Sequence, residues 1–423
     1  MILLRALLLL ASLAPLPAWA TEPVTLERPY DPVILSTAQL AALPDGRIAA
    51  LRLVRVEPGG VEAIPFQVDP RDRRGALIME GPEPTAFDDN DDFVFMAADA
   101  GPRAEPGMTW PDGCDAALEL TIRAPRGGGS AWAYLLHCAG PPPAAAAPYV
   151  TYDRATNRAR SARYEVGYAA DRNYFTAMRV AGADGALGAN MLRQTHMRGS
   201  PTFELLVTEL TLEFTEQSTY VALEGVRNGP VRAIRRVKLS VDLGKLFPNL
   251  PNGTAETFHY RDAFLTPTRF GIPALALRML REFHFEDVTE FNPQVMPLQY
   301  WDATHPEGIA LASTEPPVAD SADHDWWVHS APHGAVLNAF IIPQQWRDWG
   351  ITRGAFARPG CAAPTLACAA GYTLRNMTAL RAAGDYDLMQ ATVILPRVYR
   401  AGDEAPAMAM LNDPLQVDVA RVR

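Results

Sequence analysis

The chain has 423 residues, and its 48 acidic residues outnumber its 38 Lys and Arg residues, which leaves a formal net charge of −10. This acidic balance argues against general nucleic-acid binding, which requires a basic surface. After the N-terminal segment no apolar run approaches the roughly 18 residues that a membrane-spanning helix needs, so we expect no membrane insertion. The length is enough for about two or three domains.

The N-terminus has the pattern of a secretory signal peptide. Arg5 supplies a positive start, Leu7 to Leu13 form a short apolar run, and Ala18 and Ala20 flank Trp19 in a small-residue cleavage site. No cysteine follows the apolar run, so we expect no lipid anchor. The pattern predicts removal of residues 1–20 and a periplasmic or secreted protein.

Residues 21–138 are expected to form an N-terminal β-sandwich. Short apolar runs alternate with Gly and Pro turn signals, as where Ile64, Phe66 and Val68 are spaced two residues apart. This segment has almost no helical periodicity, which favours packed antiparallel sheets.

An acidic loop in this segment is a candidate metal site. Asp88, Asn90 and Asp92 occupy alternate positions, a spacing that turns several oxygen ligands toward one point, as Ca²⁺ requires. The alternative is a solvated acidic turn, since Asp and Asn are natural turn formers. A bound Ca²⁺ would stabilise the fold rather than act in catalysis.

The four cysteines form two local pairs. Cys114 and Cys138 bracket a predicted hairpin whose turn lies midway between them, so they face each other across two antiparallel strands. Cys361 and Cys368 bracket a short loop. An oxidising compartment favours a disulfide in each pair, whereas the thiol spacing of a metal site is missing.

Residues 139–148 are rich in Pro and Ala and predict a stiff linker. Beyond it, residues 149–423 are expected to form a larger antiparallel β-sandwich with few short helices. Alternation along Leu210, Leu212 and Phe214 indicates strands with one buried face. A helix is predicted only at 273–283, and a last strand at 417–422.

A short motif in this second unit resembles galactose-mutarotase-like supersandwich domains. Glu224 and Gly225, followed by Asn228 to Arg232 and a long strand, are similar to the strand–turn–strand of those domains. The family includes sugar epimerases, polysaccharide lyases and periplasmic glucan proteins. The resemblance implies a large antiparallel sandwich and a carbohydrate ligand, and it transfers no catalytic residue.

Aromatic and histidine residues are concentrated between positions 300 and 349. Sugar rings pack their C–H faces on indoles while nearby polar groups bind their hydroxyls. The candidate substrate-binding residues are Trp326, Trp327, His329, His333, Trp346 and Arg347. The alternatives are an ordinary aromatic loop over the core and a metal site built from His324, His329 and His333.

His284, Glu286 and His259 are the candidate acid–base residues. In a strand, Glu282, His284 and Glu286 point to one side, which suits proton transfer to and from a sugar. If the preceding helix continues, His284 points away from both carboxylates.

Arg232, Arg235, Arg236 and Lys238 form a basic stretch in this acidic chain. The stretch is either a contact for an anionic substrate such as a uronate or a solvated strand face.

These features favour an exported polysaccharide- or sugar-binding or processing protein of the bacterial envelope, such as an acid–base lyase or epimerase. One alternative is a non-catalytic β-rich surface or assembly scaffold. Another is a metal-dependent hydrolase. The sequence does not identify protein partners.

Overall fold

The computed structural model describes residues 22–140, 147–205, 208–242, 253–312, 317–319, 323–360 and 368–423. Within these ranges the chain is mostly β, with several antiparallel sheets and few short helices, as predicted. The predicted signal peptide, residues 141–146 of the predicted linker and Cys361 lie outside the described residues. No helix in the described part of the chain is both long and apolar enough to cross a membrane.

The N-terminal strands form two sheets around one apolar core. The strands are β1 (Pro32–Ser36), β2 (Leu51–Glu57), β3 (Gly60–Ala63), β4 (Gln67–Asp69), β5 (Asp92–Met96), β6 (Cys114–Arg123) and β7 (Ser130–Cys138). One sheet has the order β1-β5-β4, and the other contains β6-β7-β2-β3. Leu35 and Phe93 from the first sheet pack with Leu53 and Leu118 from the second. The predicted disulfide joins Cys114 and Cys138 across β6 and β7.

The rest of the described chain is built from further strands and three α-helices. The strands are β8 (Val150–Asp153), β9 (Arg158–Ser161), β10 (Tyr164–Tyr168), β11 (Phe175–Val180), β12 (Leu192–Leu205), β13 (Thr208–Thr211), β14 (Phe214–Thr215), β15 (Thr219–Asn228), β16 (Ala233–Val241), β17 (Gly253–His259), β18 (Ala263–Ile272), β19 (Leu280–Phe291), β20 (Gln299–Asp302), β21 (Ile309–Ala310), β22 (Val318–Ala319), β23 (Trp326–Ala331), β24 (Gly334–Ile341), β25 (Thr352–Arg358), β26 (Ala369–Arg375), β27 (Gly384–Leu395) and β28 (Gln416–Arg421). The helices in the described ranges are α1 (Ala274–Met279), α2 (Gln344–Asp348) and α3 (Ala405–Asn412).

Two large antiparallel sheets face each other in this second unit. Among the described residues, one sheet runs β13-β12-β19-β26-β25-β22, and the other runs β15-β16-β17-β18-β27-β24-β23-β20-β21. The ring of Phe340 on β24 stacks on that of Tyr372 on β26, with centroids 4.1 Å apart. A smaller sheet, β11-β10-β9-β8, covers one end and contributes Tyr164 and Val166 to the shared core.

The last strand does not belong to the sheet expected from its position in the chain. We expected a last strand at residues 417–422 within the second unit, but the observed strand, β28, pairs with β6 of the N-terminal sandwich. Val417 and Val419 alternate along it and pack against the N-terminal core. Alternation predicts such a strand, but it carries no information about which distant strand becomes its partner.

The predicted helix at 273–283 is shorter in the structure, because α1 ends at Met279 and β19 begins at Leu280. From this point Phe283 and Phe285 alternate with Glu282, His284 and Glu286, a strand pattern that pairs with β12 along its length. The interpretation of this segment as a strand is therefore confirmed.

Candidate functional site

The three predicted ligands of the acidic loop have hydrogen-bond partners within the protein. The Asp92 carboxylate accepts hydrogen bonds from Arg71 at 2.7 Å and from Arg232 at 3.1 Å. The Asn90 amide donates to the Asp72 carbonyl, and the backbone N–H of Asn90 donates to Asp88 Oδ1 at 3.3 Å. No group of three or more His, Cys, Asp or Glu side chains in the described ranges is arranged to hold a metal ion. Calcium binding stays a prediction.

The residues predicted to bind sugar are dispersed. Trp346 is fully buried and packs on Phe270 and Tyr386, while Trp327 is buried against Tyr300. The remaining four differ in their exposure: Trp326 is half-buried, His329 is buried, and His333 and Arg347 are exposed. Trp327 and Trp346 line cavities between the two large sheets, whereas the other four residues line neither cavity.

His329 has an environment that favours its neutral form. Its ring lies 4.8 Å from that of Phe291 and 5.3 Å from that of Trp327, measured between centroids. Burial lowers the pKa of His329 to about 3. A neutral, enclosed imidazole packed on aromatic rings is a core residue.

His284 and Glu286 lie on one face of β19, whereas His259 lies in the opposite sheet. The first two line an open groove of about 590 Å³ on the outside of the sandwich, together with Arg198 and Arg375. Glu286 accepts a hydrogen bond from Arg358 at 2.8 Å, and His284 is exposed.

His259 is buried between two tyrosine hydroxyls. The hydroxyl of Tyr164 lies 3.3 Å from Nδ1 and that of Tyr168 lies 3.1 Å from Nε2. Burial, with Arg235 nearby, lowers the pKa of His259 to about 3. The structure therefore does not assemble the three predicted acid–base residues into one site.

A mainly apolar space lies between the two large sheets, and we call it the apolar lobe. It has a volume of about 290 Å³. Small residues on β17 and β18, such as Gly253, Ala255, Thr268 and Gly271, leave this space open. Its large side chains come from both sheets, α1 and α2: Phe203, Phe214, Phe270, Leu277, Leu280, Phe283, Phe285, Phe340, Trp346, Leu374 and Leu388.

A second space of about 120 Å³, the polar lobe, adjoins the first between the same sheets. Its polar side chains include Tyr168, Thr195, His196, Arg235, Thr257, Asn338 and Thr392. The two lobes share the lining residues Asn173, Met197, Ala255, Thr266, Asp287, Tyr372 and Gln390, so they form one chamber with an apolar and a polar end. Asn173 is exposed, so the chamber reaches the protein surface beside it.

Three polar side chains mark the junction of the lobes. Gln390 Nε2 donates to Asp287 Oδ2 at 2.7 Å and to the Tyr372 hydroxyl at 2.5 Å. The Tyr372 hydroxyl donates to the same Asp287 oxygen at 3.1 Å. Burial raises the pKa of Asp287 despite these hydrogen bonds, because the surrounding protein disfavours the charged form.

Arg235 is the buried cation of the polar lobe, with only 5% of its surface exposed. The other arginine that lines this lobe, Arg172, already forms an ion pair with Asp171 at 2.6 Å. Its Nε donates to the Tyr152 hydroxyl at 3.0 Å, and its guanidinium lies 4.2 Å from the centroid of the Tyr168 ring. No carboxylate oxygen of the described residues lies within 4.0 Å of its guanidinium nitrogens, and no described group accepts a hydrogen bond from its two terminal nitrogens. A buried charge without an opposite charge is uncommon in proteins.

The sequence contained a signal for two of the residues that line the chamber, Arg235 and Asp287. Arg235 alternates with Val237 and Val241 and therefore shares their strand face. In the same way, Asp287 shares a strand face with Phe285 and Phe291. Arg235 is the charged residue on an otherwise apolar face of β16, and Asp287 lies between Phe285 and Thr289 on its face of β19. Of the two, only Arg235 was among our candidates, within the basic stretch.

The comparisons with known proteins identify no family. No protein-family model and no curated protein matches the chain. Among solved structures, an α-mannosidase from Enterococcus faecalis V583 is similar over 95% of this chain and 44% of its own, with a TM-score of 0.45 and 10% identity. The chain therefore spans less than half of that mannosidase. The Slr1438 protein from Synechocystis sp. PCC 6803 is similar over 60% of this chain and 98% of its own, with a TM-score of 0.31 and 9% identity. Both TM-scores lie below 0.5, and we draw no function from either likeness.

Proposed function

We propose that this protein binds an anionic amphiphile between its two large sheets, with the tail in the apolar lobe and the anionic head group at Arg235. The observation that carries this proposal is the buried guanidinium of Arg235, which faces a polar lobe and has no carboxylate partner among the described residues. Placing a charge in such an environment costs several kcal/mol unless an opposite charge compensates it. A carboxylate or phosphate head group supplies that charge and accepts from the guanidinium nitrogens.

The apolar lobe accounts for the rest of the ligand. Its volume of about 290 Å³ is near the lower end of the range of ligand pockets, roughly 300–1000 Å³. Each buried methylene contributes about 0.8 kcal/mol, so a medium-length chain supplies most of the affinity. A free sugar would leave this space empty, because it offers no comparable apolar surface.

Isothermal titration calorimetry with decanoate, decanol and decane-1,2-diol tests this proposal below their aggregation limits. We expect decanoate to bind at least tenfold more tightly than the neutral compounds, because a hydrogen-bonded ion pair contributes about 1.5–3 kcal/mol. Arg235→Gln should abolish this preference. Arg236→Gln is the matched control, because Arg236 points away from the chamber and pairs with Glu256 at 2.5 Å. Equal binding of decanoate by both variants would refute the head-group assignment.

The outer groove supports a second candidate, which is saccharide binding or processing as the sequence predicted. His284, Glu282 and Glu286 line it from one strand face, beside Arg198 and Arg375. This arrangement provides a solvent-accessible imidazole next to carboxylates, with Glu282 Oε2 at 3.8 Å from His284 Nε2. Thermal unfolding with neutral and uronate oligosaccharides tests this candidate. A stabilisation that is lost in His284→Ala and retained in Arg235→Gln would support it, whereas no stabilisation by any saccharide would reject it.

A further inference from the structure

We infer that the preferred amphiphile carries a hydroxyl group between its tail and its anionic head, and that Asp287 selects for this hydroxyl. The inference rests on the proposed function, because it assumes that the tail lies in the apolar lobe and the anion at Arg235. It adds a ligand class, the hydroxylated fatty acids and related hydroxylated anionic lipids, and a specificity-determining residue.

The order of groups along the chamber carries the inference. Asp287, Tyr372 and Gln390 border both lobes, whereas Arg235 borders the polar lobe alone. A ligand that extends from the apolar lobe to Arg235 therefore crosses the junction, where Asp287 is the only carboxylate among the residues that line both lobes. The structure thus offers, in sequence, an apolar surface, a hydrogen-bond acceptor and a cation.

One oxygen of Asp287 is available to such a ligand. Tyr372 and Gln390 both donate to Oδ2, and no described residue donates to Oδ1. Asp287 retains some accessible surface, and it lines the chamber. A plain alkyl chain passing this oxygen would leave a buried acceptor without a partner, which is unfavourable. A ligand hydroxyl at this point would donate to Oδ1.

The charged groups around Asp287 make a second anion at this position unfavourable. From β12, His196 faces it, and from β26 and β27 its neighbours are the hydroxyl of Tyr372 and the amide of Gln390. No Lys or Arg in the described ranges forms a salt bridge with its carboxylate. A hydroxyl group can donate a hydrogen bond to Asp287 without adding negative charge, so a hydroxyl fits this junction. The anionic head group of the ligand fits at Arg235.

Calorimetric titration of decanoate and of 2-, 3- and 10-hydroxydecanoate into the full-length protein tests the inference. We expect 2- or 3-hydroxydecanoate to bind roughly tenfold more tightly than decanoate. The compound 10-hydroxydecanoate should bind more weakly than decanoate, because its hydroxyl would lie in the apolar lobe.

Asp287→Leu should remove the preference for the 2- or 3-hydroxyl. Asp287→Asn should keep part of this preference, because its amide oxygen still accepts a hydrogen bond. Asp387→Asn is the matched control, because Asp387 lines neither lobe and forms an exposed ion pair with Arg269 at 2.8 Å.

The outcomes separate this inference from the function on which it rests. If decanoate and all hydroxydecanoates bind wild-type protein within twofold of each other, the chamber binds anionic amphiphiles and the role of Asp287 is refuted. If none of them binds, the proposed function fails, and the inference fails with it. Because the first comparison uses only wild-type protein, it holds even if an Asp287 variant does not fold.

Discussion

Arg232 and Arg235 lie three residues apart and are both buried, but only Arg232 contacts carboxylates. Arg232 donates to Asp69 at 2.8 Å and to Asp92 at 3.1 Å, and both acids belong to the N-terminal sandwich. Arg235 faces the inter-sheet chamber, with a tyrosine hydroxyl as its hydrogen-bond acceptor. The first arginine therefore joins the two parts of the chain, and the second is available to a ligand.

Arg232→Ala should destabilise the protein strongly. Asp69 is completely buried, and removing its cation leaves an uncompensated charge, for which a loss of about 3–5 kcal/mol is typical. Chemical denaturation with urea measures the free energy of unfolding. Arg198→Ala removes an exposed ion pair with Glu213 and should cost less than about 1 kcal/mol. A loss for Arg232→Ala as small as that of the control would contradict the structural role of this pair.

Arg235→Met should leave the unfolding free energy of the ligand-free protein unchanged or raise it. Methionine keeps apolar volume and removes a buried charge that has no carboxylate partner, a change that is often neutral or stabilising. The same urea titration measures it. A destabilisation above about 2 kcal/mol would mean that Arg235 is a structural residue rather than a ligand-binding one.

Thr268→Phe should block the apolar lobe without unfolding the protein. Thr268 lines this lobe, and a phenyl ring there would occupy space that a ligand tail needs. We expect decanoate affinity to fall at least tenfold while the melting temperature stays equal or rises, as is common when a cavity is filled. Thr254→Phe is the control, because Thr254 is on the adjacent strand and does not line the chamber. Unchanged decanoate affinity in Thr268→Phe would show that the tail binds elsewhere.

His259 should make the protein less stable in acid. Its folded pKa of about 3 lies below the usual value of 6.5, so between these pH values the unfolded chain binds a proton that the folded protein does not. The stabilisation is complete above pH 6.5 and is lost as the pH falls toward 3, at a slope of about 1.4 kcal/mol per pH unit.

Urea denaturation of wild type and His259→Phe between pH 6.5 and 4 measures this slope. The variant should lose stability less steeply on acidification, by about one proton's contribution. His284→Gln, which replaces an exposed histidine, is the control. Identical slopes in wild type and His259→Phe would show that His259 takes up a proton in the folded state.

Local patterns explain which parts of the fold were predictable. The Cys114–Cys138 hairpin and the strand face shared by His284 and Glu286 follow from alternation and nearby turns. The pairing of β28 with β6 was not predictable, because the two strands are almost 300 residues apart in the chain, as the Arg123–Asp418 contact shows with its separation of 295. Such long-range pairing depends on packing that no local pattern encodes.

The candidate site was less accessible from the sequence. Of the tryptophan and histidine candidates, Trp327 and Trp346 line the chamber, whereas His329 is a core residue outside it. The chamber exists because Gly253, Ala255 and Gly271 have small side chains or none, which leaves space between the two sheets. Only the tertiary structure places Arg235 and Asp287 in the same chamber.

A crystal structure of the protein with 10-bromodecanoate tests the central claim most directly, because anomalous scattering locates the bromine without ambiguity. We predict a bromine peak in the apolar lobe near Leu277, Phe283 and Trp346, with the carboxylate within hydrogen-bond distance of the Arg235 guanidinium. A bromine peak on the outer surface, or an empty chamber at saturating ligand, would contradict the account.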